Sequence, residues 1–163
     1  MGRTGGSVNN ERTTKMRKAY LFRNLAPAEL EPFLKIARYR SYSPNEVVIA
    51  EEETGDDLFL ILSGSVRVIK GRSEEYEQVI GMLREGEFFG EMALIDRMPR
   101  SASVYAHEPL KLAIFGHSDL RNIFEKNPAI GLKVVTAFAE ILSQRLRNTN
   151  DKLKTLLFLE RTF

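Results

Sequence analysis

Short apolar runs alternate with clusters of turn-forming residues between positions 39 and 115. Five of these runs are rich in β-branched and aromatic residues and predict strands; they span residues 58–62, 66–70, 78–83, 102–106 and 110–115. The first two are joined by Ser63-Gly64-Ser65, which predicts a β-hairpin. Strands at such regular spacing predict an antiparallel roll or sandwich.

Helical periodicity flanks this β region on both sides. Apolar residues at helical spacing predict a short amphipathic helix over residues 25–37, with Pro27 at a first-turn position and Pro32 in the interior. Residues 118–124 predict another short helix. The pair Asn127-Pro128 marks the start of a long helix, because asparagine is a favoured N-cap and proline is tolerated in the first turn.

The long helix carries a second pattern along one side. Apolar positions repeat there in alternating steps of three and four over more than three heptads, which predicts a coiled-coil seam and a homodimer. The seam positions are Leu132, Val135, Ala139, Leu142, Leu146, Thr149, Leu153 and Leu156. The predicted fold class is α+β and mainly β: an antiparallel, jelly-roll-like β-roll with flanking helices and a long C-terminal dimer helix.

Composition narrows the classes of function. The 163 residues include no cysteine, which excludes disulfides and thiol catalysis, and only two histidines, His107 and His117. Two separated imidazoles do not suggest a histidine-rich metal site, so we predict a protein that is not an enzyme and uses neither metal nor cofactor. No apolar run approaches the ~20 residues of a membrane span, and no signal-peptide core is evident. These features predict a cytoplasmic protein.

Charge is distributed unevenly along the chain. Residues 1–23 carry a net charge of +5 and the remainder −3, within a total of +2. The first fourteen residues are rich in glycine and asparagine and predict a disordered leader; a basic arm that contacts an acidic partner or a membrane surface is the alternative. The predicted organisation is a basic leader over residues 1–20, a β-roll with flanking helices over 21–126 and the C-terminal helix over 127–163.

The candidate site is the segment of residues 88–103, which interrupts the β pattern between Gly86 and Pro99. Gly90 precedes a short helical turn, whose free N–H groups attract anions. Arg100 supplies a planar cation matched to phosphate oxygens, whereas the carboxylate of Glu91 suits a ribose hydroxyl. The combination indicates a nucleotide with one phosphate and a free ribose hydroxyl. The alternative is that Glu91 and Arg100 form a simple surface ion pair.

This segment also carries a family resemblance. Phe89-Gly90-Glu91-Met92-Ala93-Leu94-Ile95, followed by Arg100-Ser101-Ala102, resembles the phosphate-binding cassette of cyclic nucleotide-binding domains. The resemblance extends over roughly residues 21–158. It implies a β-roll in which Gly90 lets the chain approach the ligand and N–H groups around Glu91, Met92 and Ala93 face the phosphate and ribose. It further implies that Glu91 accepts the ribose 2′-hydroxyl, Arg100 binds the cyclic phosphate, and Ser101 and Ala102 add donors; Phe89 completes the cassette.

The sequence indicates the residues that contact the base of the nucleotide less directly. The segment around Thr149 and Asn150 resembles the dimer helix of catabolite activator proteins, in which a Thr-Ser pair contacts adenine and the serine comes from the other subunit. Thr149 carries over and Asn150 departs from serine, although its amide offers both a donor and an acceptor. Thr149 alternatively serves only as a polar position that fixes the coiled-coil register. Ser101 leaves cGMP as an alternative ligand, and cAMP is the favoured ligand.

Two positions depart from the family's usual glycines. Asn45 tolerates a left-handed backbone and is expected to substitute for glycine. Glu52 is less tolerant, so the turn over residues 51–56 is expected to be remodelled, away from the cassette.

The predicted function is a sensor that couples cyclic nucleotide binding to the position of the C-terminal helix. Alternatives are the sensor domain of a catabolite activator-like regulator truncated before its helix-turn-helix domain, and a cGMP-binding module. The resemblance to the activators continues through residues 157–160, which correspond to the hinge before the helix-turn-helix domain. Only Arg161, Thr162 and Phe163 follow, so no DNA-reading element is predicted within this chain. The sequence does not identify a downstream protein partner.

Overall fold

Two four-stranded antiparallel sheets form a β-roll, as predicted. The computed structural model describes residues 4–71, 78–96 and 98–160. The helices are α1 (Thr4–Lys18), α2 (Pro27–Ile36), α3 (Glu91–Asp96), α4 (His117–Lys126) and α5 (Pro128–Glu160), with a 3-10 turn at Tyr20–Phe22. The strands are β1 (Arg38–Tyr42), β2 (Val47–Ile49), β3 (Leu58–Ser63), β4 (Ser65–Lys70), β5 (Gln78–Arg84), β6 (Phe88–Phe89), β7 (Ser103–Ala106) and β8 (Leu110–Phe115).

The strand order distinguishes the two sheets. One sheet has the order β1-β8-β3-β6 and the other β2-β7-β4-β5. Every predicted strand is present, but β3 and β4 lie in different sheets, so the predicted hairpin between them is wrong. Only Gly64, at φ +89°, separates these strands, and a Cβ there would lie 2.4 Å from the carbonyl oxygen of Pro109. A single residue cannot form the two-residue loop of a tight hairpin. Gly64 instead turns the chain from one sheet to the other.

Two apolar clusters hold the roll and its helices together. The first lies between the sheets and includes Ile61, Val66 and Leu112. The second packs α2, α4 and the first part of α5 onto β3 and β8, with Phe33 and Phe115 fully buried. The first part of α5 therefore packs on the roll through the face that contains Val134 and Phe138. The C-terminal part, over residues 146–158, is exposed.

The N-terminal segment corrects the prediction of a disordered leader. Residues 4–18 form α1, and Met16 and Ala19 at its end are completely buried in the core. The ammonium of Lys15 donates to the carbonyl oxygen of Leu62 at 2.8 Å, and the Arg12 guanidinium lies 4.1 Å from the centre of the Tyr39 ring. The roll thus provides the apolar surface that this short, polar segment lacks on its own. Residues 1–3 lie outside the described residues, and the predicted domain boundaries stay predictions.

The start of α5 agrees with the sequence pattern. The backbone N–H of Ile130 donates to Oδ1 of Asn127 at 3.3 Å, so Asn127 caps the helix. Asn127→Ala is expected to lower the free energy of unfolding by about 1 kcal/mol, because one terminal N–H loses its acceptor. Urea denaturation measures this loss, and Asn122→Ala, on the exposed side of α4, is the matched control. Equal stability of the two variants would contradict the cap.

Over the residues that the structure describes, none of the helices combines the length and apolar character that crossing a membrane requires.

Candidate functional site

The cassette begins where β6 pairs with β3. Phe89 lies opposite Phe59, and their rings stack at 5.0 Å between centroids. Gly90 follows at φ +82°, and a Cβ there would lie 2.7 Å from the carbonyl oxygen of Asp57 and 2.9 Å from Nη1 of Arg100. Only glycine fits this position, because it alone combines the backbone angle with the close approach. The chain then enters α3 at Glu91.

The Arg100 guanidinium is almost completely buried, with 8% of the residue exposed. Its Nη1 donates to the carbonyl oxygen of Gly90 at 3.1 Å and its Nη2 to that of Asp57 at 3.0 Å. A guanidinium has five N–H donors, so these two bonds leave donors for another acceptor. Burial lowers the pKa of Arg100 from its ordinary value, whereas nearby carboxylates, Asp57 first, oppose the shift. Arginine nevertheless keeps its charge in proteins.

The turn over residues 51–56 lies beside the cassette, which corrects the expectation that it lies elsewhere. The N–H of Glu52 donates to the carbonyl oxygen of Arg100 at 2.9 Å, and the N–H of Arg100 donates to that of Glu53 at 2.9 Å. Glu52 takes the left-handed conformation, at φ +68°, as does Asn45 at φ +66°. Both residues therefore adopt the positive φ that glycine favours, as expected for Asn45. The bonds to Arg100 hold Glu52 in this unfavourable conformation.

Glu91 pairs with α5 and not with Arg100. Its Oε1 accepts from Nη1 of Arg145 at 3.0 Å, and Nη2 of Arg145 donates to the carbonyl oxygen of Phe88 at 2.5 Å. Glu91 is 6% exposed, and the Arg145 guanidinium lies 5.0 Å from the centre of the Phe88 ring. The alternative of a simple ion pair between Glu91 and Arg100 is therefore wrong. Arg145 instead attaches the long helix to the cassette.

A cavity of about 400 Å³ lies between the sheet β2-β7-β4-β5, the cassette and α5. This volume is in the usual range for small-molecule sites. Eight of the ten predicted site residues line it: Phe89, Gly90, Glu91, Met92, Arg100, Ser101, Ala102 and Thr149. A second cavity, of about 810 Å³, shares Glu87, Arg145 and Asn148 with the first, whereas Gly90 and Arg100 line the first and not the second.

Two predicted site residues stand apart from this cavity. Ala93 belongs to α3, but its side chain lies outside the described part of the structure. Asn150 is exposed on α5 and does not line the cavity within one chain. The resemblance assigned the corresponding contact to a second subunit, so the role of Asn150 stays a prediction.

Twelve lining residues were missed from the sequence, and three of them belong to α5: Arg145, Asn148 and Lys152. They lie one turn before Thr149, directly before it and one turn after it. The position of Thr149 was a usable signal, because residues three and four apart share one side of a helix. The hydroxyl of Thr149 donates to the carbonyl oxygen of Arg145 at 3.0 Å, within the same helix.

The described residues contain no group of three or more His, Asp or Glu side chains placed to hold a metal ion. The polar groups of the cavity include the cassette backbone, the buried guanidinium of Arg100, the buried carboxylate of Glu91, the exposed carboxylate of Glu87, and the cations of α5. Such a set can bind a small anion with hydroxyl groups.

A β-roll that places a buried arginine against a glycine-led helical turn defines a class of nucleotide-binding domain. Residues 39–127 match the cyclic nucleotide-binding domain family, and the chain belongs to it. It is 31% identical over 145 residues to the cyclic AMP receptor protein of Thermus thermophilus, covering 89% of this chain and 65% of that protein. A cyclic nucleotide-binding domain from Methylobacillus flagellatus superposes with a TM-score of 0.78 at 29% identity, covering 90% of this chain and 82% of that one.

A kinase regulatory subunit shares a shorter part of the chain. The cAMP-dependent protein kinase regulatory subunit of Mycosarcoma maydis is 38% identical over 86 residues, covering 53% of this chain and 16% of that protein. The chain spans less than two thirds of the Thermus receptor's length. The two curated relatives are named as a receptor protein and as a regulatory subunit.

Proposed function

We propose that this chain binds a cyclic nucleotide, with cAMP favoured, and reports its presence through the position of α5. The observation that carries the proposal is the buried guanidinium of Arg100, which faces the cavity beside the Gly90 turn. A buried cation is unfavourable unless an anion or several acceptors compensate it. One phosphodiester with a single negative charge matches one guanidinium better than a doubly charged phosphate does.

The ribose is assigned to the other end of the cassette. Glu91 is a buried carboxylate at the start of α3, where it accepts hydrogen bonds but repels phosphate. A ribose 2′-hydroxyl is therefore its expected donor, as the family resemblance implies. Ser101 and Ala102 lie directly after Arg100 on the cavity wall and add donors on the phosphate side.

The base is assigned to the part of the cavity near Thr149. The apolar side chains of Val68, Leu83 and Val104 line the sheet wall, and Thr149 faces them from α5. A purine ring would lie between an apolar wall and a helix that offers a hydroxyl group. The name of the Thermus relative specifies cyclic AMP, which supports cAMP over cGMP.

Coupling to α5 follows from the ion pair between Glu91 and Arg145. A ligand that hydrogen-bonds Glu91 changes the environment of the carboxylate that holds Arg145, 3.0 Å away. A ligand shifts a conformational equilibrium only through a difference in affinity between the two states. Glu91 supplies that difference, because its partners differ when the helix is docked and when it is not.

Two coarser proposals go with this function. The chain acts as a homodimer through the α5 seam, and it regulates without catalysing a reaction on its ligand. Because it spans only part of the receptor proteins that it resembles, a sensor domain of a longer transcription regulator is the second candidate. A cGMP-binding module is the third candidate, and Ser101 is the residue that supports this alternative.

Titration calorimetry tests the proposal. We expect cAMP to bind with a dissociation constant at least tenfold lower than that of 5′-AMP, because the open phosphate carries a second charge that the single buried guanidinium does not neutralise. A parallel titration with cGMP ranks the bases. Equal affinity for cAMP and 5′-AMP, or no binding of either cyclic nucleotide, would contradict the proposal.

A further inference from the structure

The Arg100 guanidinium lies in a slot between two glycines. A Cβ at Gly55 would lie 3.1 Å from Nη2 and 3.4 Å from Nε of Arg100, and one at Gly90 would lie 2.9 Å from Nη1. Separations this small are tighter than ordinary side-chain contacts. A side chain at either glycine would therefore push the guanidinium out of its present position.

The slot fixes the direction of the guanidinium as well as its place. Gly90 and Asp57 each offer a carbonyl oxygen, at 3.1 and 3.0 Å from the two terminal nitrogens. The Phe59 ring lies 5.7 Å from the central carbon of the guanidinium. The main chain is held too, by the exchange of hydrogen bonds between Arg100 and residues 52–53. Contacts within the protein thus orient both terminal nitrogens and the main chain of Arg100 and leave its remaining donors for the cavity.

We infer that Gly55 is a positioning residue for phosphate binding: its missing side chain lets Arg100 lie against the turn over residues 51–56 in the orientation that binds the ligand. This inference rests on the proposed function. Hydrogen bonds weaken steeply as their angles depart from linearity, and a bidentate pair needs both N–H groups aligned at once. A displacement of the guanidinium by a few tenths of an ångström therefore weakens the pair without removing the charge.

Gly55 is a better probe of the slot than Gly90. Gly90 combines a positive φ with a backbone oxygen 2.7 Å from its Cβ position, so any substitution there also strains the main chain. The φ of Gly55 lies outside the left-handed region, and the three atoms nearest to its Cβ position all belong to the Arg100 side chain. Gly55 is exposed, so a methyl group there does not alter the core.

The experiment compares two glycine-to-alanine variants of the full chain. Gly55→Ala is expected to raise the dissociation constant for cAMP about fivefold, because it misaligns a charge-assisted pair. Gly116→Ala is the matched control: Gly116 does not line this cavity, and the atom nearest to a Cβ there is Oδ2 of Asp119, at an ordinary contact distance of 3.4 Å. We expect its affinity to stay within about twofold of the unsubstituted protein, and Gly55→Ala to keep the thermal midpoint measured without ligand.

A second background separates positioning from a general effect on structure. Lysine is a compact cation without the planar fork, so Arg100→Lys weakens binding but no longer meets a methyl group at position 55. Adding Gly55→Ala to Arg100→Lys should therefore cause less than a twofold further loss. A similar loss in both backgrounds, or normal affinity of Gly55→Ala, would overturn the inference. Failure of the unsubstituted protein to bind cAMP would overturn the proposed function and this inference with it.

Discussion

Arg100→Ala is expected to weaken cyclic nucleotide binding at least tenfold. A charge-assisted hydrogen bond contributes about 1.5–3 kcal/mol, and each 1.4 kcal/mol corresponds to a factor of ten in affinity. The real loss should lie in the upper part of this range, because Arg100 is 8% exposed and water screens its charge only weakly. Titration calorimetry with cAMP measures the change.

The fold should survive this substitution. The carbonyl oxygens of Gly90 and Asp57 lose their donor, but both lie beside the cavity, where water can replace it. Arg121→Ala is the control, since Arg121 is an exposed arginine of α4 that pairs with Glu125 four residues later. Its affinity for cAMP should be unchanged. Affinity within threefold of the unsubstituted protein for Arg100→Ala would exclude Arg100 as the phosphate-binding group.

The predictable part of the site is the part that is local in sequence. Gly90, Glu91 and Arg100 lie within eleven consecutive residues, and the turn that joins them is fixed by one glycine with a positive φ. Five of the eight described strands were predictable for a similar reason, because β-branched runs and turn residues specify them locally, whereas β1, β2 and β6 were not predicted. A local sequence pattern therefore predicts which side chains come together within one short loop.

The missed contacts all join distant parts of the chain. Arg145 meets Glu91 across 54 positions, and Asp57 meets Arg100 across 43. Neither pair has a sequence spacing that marks it, because the two sheets and α5 must form before the residues are neighbours. The resemblance gave Glu91 a ribose hydroxyl of the ligand as its partner. It did not indicate that Arg145 of α5 binds the same carboxylate.

The two fold-level corrections have the same origin. Ser63-Gly64-Ser65 has the composition of a hairpin turn, and only the assignment of β3 and β4 to different sheets distinguishes a corner from a hairpin. The N-terminal segment is too polar to fold alone, yet Met16 and Ala19 find apolar surface on the roll. In both cases the deciding interaction lies in a part of the chain remote from the pattern that was interpreted.

The exposed apolar side of α5 is expected to form the dimer, and Leu146→Glu combined with Leu153→Glu should give a monomer. The two leucines are 62% and 53% exposed in the single chain, and Leu132 and Leu156 on the same seam are 70% and 60% exposed. An apolar stripe of this length indicates a contact surface. Fully burying a leucine side chain stabilises by about 1.5–3 kcal/mol. Two copies of the double variant therefore lose four such contributions and bring glutamates together across the seam.

Sedimentation velocity at micromolar concentration measures the outcome. Gln144→Glu combined with Thr155→Glu adds the same two charges to α5 at positions off the seam and should leave the dimer intact. A double leucine variant that still sediments as a dimer would contradict the seam. Because Thr149 lies both on the seam and on the cavity wall, the monomeric variant should also bind cAMP more weakly than the control pair. Loss of dimerisation with unchanged affinity would instead show that Thr149 only sets the register of the helices.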